Sequence, residues 1–407
     1  MRNPILQTLR IRSFFFLLVS EFFSQIAMNL LNFILILVVF SISKSNLAVS
    51  GVVLAFTLPA VFFGLIAGVF VDRWNKKYVL ILTNLLRGLA VVPLILITDD
   101  LFVIYSATFA VALVTQFFIP AETPIIPHLV KRELLMSANA LFGIGIFGSI
   151  IIAYALSGPI LLFLGIEKAL VLLSALFIVS GLSCLLIKMD IKESQARQQS
   201  SIVREVLNTL TQIFRSKKIS HSLLVLTLVQ TLILIIAVIG PGYAEHVLRI
   251  KVEKFPIIFV TPAVLGMALG ALIVGNFLIN FSREKMRKIG LFAIGLIFVI
   301  FPHGPLIATK RIPEFLGIGM LEILITLAFI LGFFLALVFV PSNTVLQEET
   351  SDEERGKIYG SLNTLVGVIS FLPVVAAGSL ADIFGITKVL TAIGVFLIGI
   401  VLFRFVF

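Results

Sequence analysis

Twelve apolar runs follow one another along this chain, separated for the most part by short polar gaps. A helix needs about 20 apolar residues to cross the hydrocarbon core of a bilayer. Inside that core every backbone polar group must be paired within the protein, which leaves helices or closed barrels as the only spanning structures. The runs fall at 13–40, 48–71, 78–98, 101–124, 138–163 and 168–188. After a polar segment at 189–220 they resume at 222–243, 256–280, 289–308, 316–341, 358–381 and 385–406. Composition agrees. Apolar residues make up 59% of 407 positions and charged residues only 13%, where a soluble domain carries roughly a quarter. The expectation is an all-α membrane protein of twelve transmembrane helices, numbered here as spans 1 to 12.

The net charge of +10 does not predict nucleic-acid binding, because the basic residues sit at the ends of the runs rather than in one patch. They read as topology determinants beside anionic lipid. With the N-terminus inside, the cytoplasmic segments collect about 22 of the 31 Lys and Arg residues, which favours an even number of spans and both termini cytoplasmic in the cell inner membrane. Arg2, Arg10 and Arg12 precede the first run as they would precede a signal peptide. The run then continues for about 28 residues, well beyond a cleavable core of 7–15, so it is expected to be retained as span 1. Cys184, the one cysteine, lies in an apolar run and excludes a disulfide framework or thiolate metal site. The four histidines are scattered without metal-ligand spacing, and no cofactor is expected.

The chain divides into a six-helix half (1–188), a cytoplasmic linker (189–220) and a second six-helix half (221–407). Within the linker, Val203, Leu207, Leu210 and Phe214 share one helical face beside Arg204, Arg215, Lys217 and Lys218, the pattern of a short amphipathic helix on the membrane surface. The halves repeat. Pro120-Ala-Glu-Thr-Pro is matched by Pro341-Ser-Asn-Thr-Val, and Ala138-Asn139-Ala140-Leu141-Phe142-Gly143 by Leu362-Asn363-Thr364-Leu365-Val366-Gly367. Ser157-Gly158 followed by Gly165-Ile166 is matched by Ala377-Gly378 followed by Gly385-Ile386. Three linked matches in order point to a duplicated, pseudo-symmetric pair of bundles.

Between spans 2 and 3 stands Gly64-Leu-Ile-Ala67-Gly68-Val-Phe-Val-Asp72-Arg73-Trp-Asn-Lys76-Lys77. Gly64 and Gly68 are one turn apart, which suits close helix approach. Asp72 ends the span, where it can meet a cation or a helix N-terminus, and Arg73, Lys76 and Lys77 anchor the loop at the surface. The segment resembles the G-x-x-x-G-x-x-x-D-R-x-x-[RK]-[RK] signature of the major facilitator superfamily. The resemblance implies a transporter built from two rocking bundles, with this cluster as a cytoplasmic latch; Glu122, where span 4 exits on the same side as Arg73, is the expected partner of that arginine. Asn75 stands where the signature has glycine, and the second half keeps only the basic loop Arg283 to Lys288 with no counterpart of Asp72.

Pro120-Ala121, Leu129-Val130 and Asn139-Ala140-Leu141, with Arg355-Gly356-Lys357 and Leu362-Asn363, look like the macrolide-efflux and enterobactin-exporter branch of that superfamily. Asn29 and Asn84 lie near positions where that branch often has Asp. Gly145 and Gly158-Pro159 match part of the superfamily's antiporter motif, while Tyr154 and Leu162-Phe163 replace expected glycines. The resemblance therefore implies export.

Polar residues inside apolar spans are costly and mark candidate sites. Glu21, Gln25, Asn29 and Asn32 are spaced 4, 4 and 3 apart, one stripe along span 1. In the family fold spans 1, 4, 7 and 10 line the cavity. Here they offer that stripe, Thr115 and Gln116, Thr227, Gln230 and Thr231, and Glu322 and Thr326. This convergence predicts a central path for substrate and protons, with Glu21 or Glu322 as proton carrier and the alternative of a structural Glu kept open. Arg87, on a peripheral span, is expected to pack against a polar neighbour or snorkel.

The expected function is secondary active export of an amphipathic small molecule, drug-like or siderophore-like, against inward proton flow, by a monomer. A lysophospholipid flippase of the same superfamily is the alternative, and membrane lipids are expected partners. A membrane enzyme is disfavoured. No G-x-S-G, H-E-x-x-H or G-x-x-x-x-G-K-[ST] motif occurs, and Asp99-Asp100 is a lone acidic pair. A non-transporting receptor or scaffold would be favoured only if the protein in liposomes moved nothing.

Overall fold

The computed structural model describes residues 4–188, 216–278, 280–303, 319–350 and 352–403. Among them the chain is almost wholly helical, with no strand. A short helix, Pro4–Leu9, leads into α1 (Arg12–Ser43), α2 (Asn46–Arg73), α3 (Lys76–Leu96) and α4 (Leu101–Glu122). The helical stretch Leu135–Leu185 breaks at Gly165 into α5 (135–164) and α6 (166–185). Then come α7 (Lys217–Gly242), α8 (Thr261–Asn276, entered through a π-turn at Pro256–Val260), α9 (Arg283–Ile300), α10 (Met320–Glu348), α11 (Asp352–Phe384) and α12 (Ile386–Leu402). Ten helical segments are long and apolar enough to cross a membrane. One of these is the stretch that Gly165 divides, and α12 is a shorter apolar helix, which gives twelve apolar helices among the described residues.

The corner at Gly165 has φ of +74°, and Gly385, between α11 and α12, has φ of +90°. These are the two glycines that the internal repeat aligns. In the left-handed region a Cβ would clash with the backbone, so glycine is the residue that turns the chain there. The same chemistry makes the same corner in both halves.

Helices overrun the apolar runs. α10 continues through Pro341 to Glu348, and α11 begins at Asp352, ahead of its apolar part. Hydropathy marks where lipid ends, whereas a helix continues as long as its own hydrogen bonds do. Ser342 Oγ donates to the Val338 carbonyl (2.8 Å) just past Pro341, whose missing N–H leaves the Leu337 carbonyl without its helical donor.

The chain forms two compact units, Met1–Ile42 with Gly51–Gln199, and Ser43–Ser50 with Ser200–Phe407. The first has a core of Phe14, Leu17, Leu80, Phe118, Ile125, Ala138 and Cys184 among others, drawn from α1, α3, α4, α5 and α6. The second packs Ile219, Leu223 and Leu226 of α7 with Leu346, Leu362 and Val366, and Val274 and Met286 with Leu337. Its tightest crossing joins α8 to α10. A Cβ at Gly332 would fall on the Ala263 carbonyl, and one at Gly266 on the Phe329 carbonyl, so the two backbones touch. The amphipathic pattern Val203, Leu207, Leu210 and Phe214 lies outside the described residues. α7 starts just after it, capped by Ser216, whose Oγ accepts from the Ile219 amide at 3.3 Å.

Candidate functional site

The stripe along α1 divides in two. Glu21 is fully buried, while Gln25, Asn29 and Asn32 are partly exposed. Gln25 Nε2 donates to Glu21 Oε1 (2.9 Å), and Asn29 Nδ2 donates to the Gln25 carbonyl (2.8 Å). Asn32 Oδ1 is buried without a donor. Gln25 and Glu21 are thus linked side chain to side chain, Asn29 turns back on the helix backbone, and Glu21 is the end that turns inward.

Around Glu21 the first unit collects other ionisable groups. Glu122, the last residue of α4, is 5% exposed, and Arg87 of α3 is 1% exposed. Glu21 and Glu122 are the only buried Asp or Glu side chains among the described residues. The two carboxyl groups are in hydrogen-bonding contact, and both lie within the electrostatic reach of Arg87. Arg87 Nη2 donates to Asn84 Oδ1 (2.7 Å), one turn back on α3. Its guanidinium lies over the Phe118 ring at 4.1 Å and the Phe177 ring at 5.0 Å, a cation–π arrangement that partly replaces lost water. Cys184 of α6 closes the group, its Sγ 3.0 Å from Ser20 Oγ, and Ser180 Oγ donates to the Ser20 carbonyl (3.0 Å). Glu21 Oε2, Glu122 Oε1 and Arg87 Nε have no fixed hydrogen-bond partner. Glu122 faces Glu21 and Arg87; the side chain of Arg73, its expected partner, lies outside the described residues. Arg87 packs against a polar neighbour, Asn84, as expected, and does not snorkel: it is sealed between two phenylalanines. No sequence spacing links residues 21, 87, 122 and 184; the one available signal is that each is a polar or ionisable residue inside or ending an apolar run.

The other path candidates are dispersed. Thr115 Oγ1 and Gln116 Nε2 of α4 donate to carbonyls one turn back, Val111 at 2.8 Å and Ala112 at 3.1 Å. Both residues are partly exposed. On α7, Thr227 is buried with its hydroxyl unpartnered, Gln230 is partly exposed, and Thr231 shares a 2.6 Å hydrogen bond with Ser370 of α11. Glu322 and Thr326 are exposed in the first turns of α10, where a carboxylate suits the helix dipole.

Of the latch residues, the side chains of Asp72 and Arg73 lie outside the described residues. Asn75 N-caps α3, its Oδ1 accepting from the Lys77 amide (3.1 Å), and Lys77 Nζ reaches the Leu185 carbonyl at the end of α6 (3.0 Å). Lys76 is partly exposed at the start of α3. Among the described residues no backbone approaches the two glycines closely. Around Gly68 nothing described comes within 4 Å of where a Cβ would stand, and at Gly64 the neighbour is the Gln116 side chain at 3.5 Å. In α5, Gly145 meets Leu18 of α1, Gly158 is buried and Pro159 lies within the helix. The second unit holds a cavity of about 510 Å³ between α7, α11 and α12, lined by apolar side chains with Thr231 and Lys388. Among the described residues no group of three potential ligands could hold a metal ion.

Comparison with known proteins supplies a family and a set of relatives. The sequence profile described as "Major Facilitator Superfamily" matches residues 17–372. YfiS of Bacillus subtilis (strain 168), an uncharacterized MFS-type transporter, is 22% identical over 373 residues, covering 90% of this chain and 86% of its own. Among solved structures, the nucleoside transporter NupG superposes with a TM-score of 0.76 at 15% identity, over 97% of this chain and 99% of that one. The POT family transporter PepTSo gives 0.71 at 13% identity, over 96% of each chain. At such identities the structures share the fold alone.

Proposed function

Because this chain belongs to the Major Facilitator Superfamily, we propose that it is a proton-coupled exporter of amphipathic small molecules, drug-like or siderophore-like, working by alternating access. The chain is a multi-pass membrane transporter and not an enzyme. Substrate class, direction and coupling are our reading. In it the protein is a monomer in the cell inner membrane with both termini cytoplasmic, as the distribution of basic residues supports.

The observation that carries the reading is the burial of Glu21, Glu122 and Arg87 inside membrane-crossing helices. Ionisable groups at such positions cost several kcal/mol (roughly 3 per group on insertion scales), so they mark ion or proton pathways by default. The partial antiporter motif, Gly145 with Gly158-Pro159, and the resemblance to the macrolide-efflux and enterobactin-exporter branch support outward transport. Gln25, Asn29 and Asn32 on α1, with Thr115 and Gln116 on α4 and Gln230 on α7, are the partly exposed polar groups assigned to the substrate path. Asp72, Arg73, Lys76 and Lys77 keep the latch role in this proposal.

One observation favours a second reading, lysophospholipid flipping. The apolar cavity between α7, α11 and α12 has a single cationic residue, Lys388, on its lining, a chemistry that suits an acyl chain with an anionic headgroup.

The test begins with thermal stabilisation of purified protein across drugs, siderophores and lysolipids. Transport of the stabilising class is then followed in liposomes with an imposed pH gradient. Accumulation against the substrate gradient, driven by protons, is the expected result. Stabilisation and movement of lysolipids alone would favour the flippase, and no movement of any class would end the transport proposal.

A further inference from the structure

We infer that Glu21 and Glu122 bind one proton between them, and that Arg87 supplies the charge that makes the loaded site neutral. The inference rests on the proton-coupled reading above and specifies its ion-binding site.

The argument begins with hydrogen-bond chemistry. A carboxylate only accepts, so two carboxyl groups in contact are held together by a proton on one of them. Two ionised carboxylates at that distance repel, and carboxyl pairs that share a site bind a proton for this reason. Gln25 Nε2 is the one fixed donor to the pair from a neighbouring side chain, and it serves Glu21 Oε1. Glu21 Oε2 and Glu122 Oε1 are left without one.

Charge balance leads to the same stoichiometry. Among the described residues, the groups facing the pair are Arg87 and Asn84 on α3, Ser20 and Gln25 on α1, and Cys184 on α6. Arg87 is the cation among them, and a guanidinium does not give up its proton in proteins. With both carboxyls ionised the site carries one unbalanced negative charge. With both protonated it carries one unbalanced positive charge. With one proton it is neutral. An unbalanced charge in buried, apolar surroundings is strongly unfavourable; Glu21, Glu122 and Arg87 are all buried, with Phe118 and Phe177 against the guanidinium. The pair also joins α1 to α4, so loading the proton ties two helices together and losing it leaves like charges facing each other.

Glu21 has no exposed surface in this structure. Proton release requires water to reach α1 and α4 from one side.

Infrared spectroscopy of the full-length protein in lipid nanodiscs counts protonated carboxyl groups at neutral pH. One per chain is expected, and none or two would overturn the inference. Glu21→Gln and Glu122→Gln should each abolish the signal, since the surviving carboxylate then faces Arg87 alone. A signal that persists in either variant assigns the proton to an unshared carboxyl and overturns the inference. Arg87→Gln should raise the count from one to two, and an unchanged count removes Arg87 from the balance. If the variants do not fold, the wild-type count still decides. Proton-driven transport by a chain that shows no protonated carboxyl would sink the shared site while sparing the export reading. A count of one in a chain that moves nothing would do the reverse.

Discussion

Asp382, near the end of α11, caps the start of α2 through Asn46. Its Oδ1 accepts from the Asn46 amide (2.9 Å) and from Asn46 Nδ2 (2.7 Å), while Oδ2 accepts from Ser45 Oγ (2.6 Å) and the Leu47 amide (3.0 Å). Four donors converge on one carboxylate. The orphan amides of a helix N-terminus and its positive dipole end are thereby met by an anion from another helix. The segment 43–50 belongs to the second unit in consequence, and Lys44, paired with Glu245 at 2.8 Å, holds it from the other side.

Asp382→Ala should therefore expose the first amides of α2. Hydrogen exchange at Asn46 and Leu47 is expected to quicken, with a stability loss of about 1–2 kcal/mol for a lost cap. Exchange that stays at the wild-type rate would show that the cap does not hold in solution.

Glu21→Gln should uncouple transport from the pH gradient. In liposomes the variant is expected to equilibrate substrate downhill but not to concentrate it, while Glu133→Gln, at an exposed position, concentrates it as wild type does. Uphill accumulation by the Glu21 variant would remove Glu21 from the coupling site.

Arg87→Leu should destabilise the first unit by about 3 kcal/mol, the range for removing one member of a buried charge group. Arg87→Lys keeps the charge but lacks the planar face stacked between Phe118 and Phe177, so it should recover only part of the loss. Thermal unfolding in one detergent ranks the three chains; a lysine variant equal to wild type would argue against the stacking.

The glycines of the two units should differ. Gly332→Ala places a methyl group on the Ala263 carbonyl and should cost about 2 kcal/mol or more by overpacking. Gly68→Ala meets nothing described within 4 Å and should leave the melting temperature unchanged. Equal effects at the two positions would contradict the crossing assigned to α8 and α10.

Much of the architecture is legible in the amino-acid order because lipid imposes a length on every crossing. The twelve runs, the repeat and the paired glycine corners can all be read from it, since a corner with positive φ needs one residue type. The ends of α10 and α11 are not legible, because polar residues extend a helix without changing its hydrogen bonding. Nor is the buried site. The spacing of Glu21, Gln25, Asn29 and Asn32 establishes that they share a face, but not that Glu21 turns into the unit while the others reach its surface. The meeting of Glu21, Arg87, Glu122 and Cys184 depends on how α1, α3, α4 and α6 rotate about their axes, which neighbouring apolar side chains decide. Gly64 and Gly68 show the converse, a local pattern that suits close packing with no partner backbone close by among the described residues. Gly266 and Gly332 carry that packing, and their own sequence neighbourhoods do not reveal the pairing.

The single-residue corners at Gly165 and Gly385 bear on how the chain enters a bilayer. A corner that short leaves no loop to be threaded across ahead of the second limb. The apolar spans Ser137–Leu185 and Thr364–Phe384 with Ile386–Leu402 are therefore expected to enter lipid as folded-back pairs, and a side chain at either corner, strained at positive φ, would oppose the turn that brings the second limb in with the first.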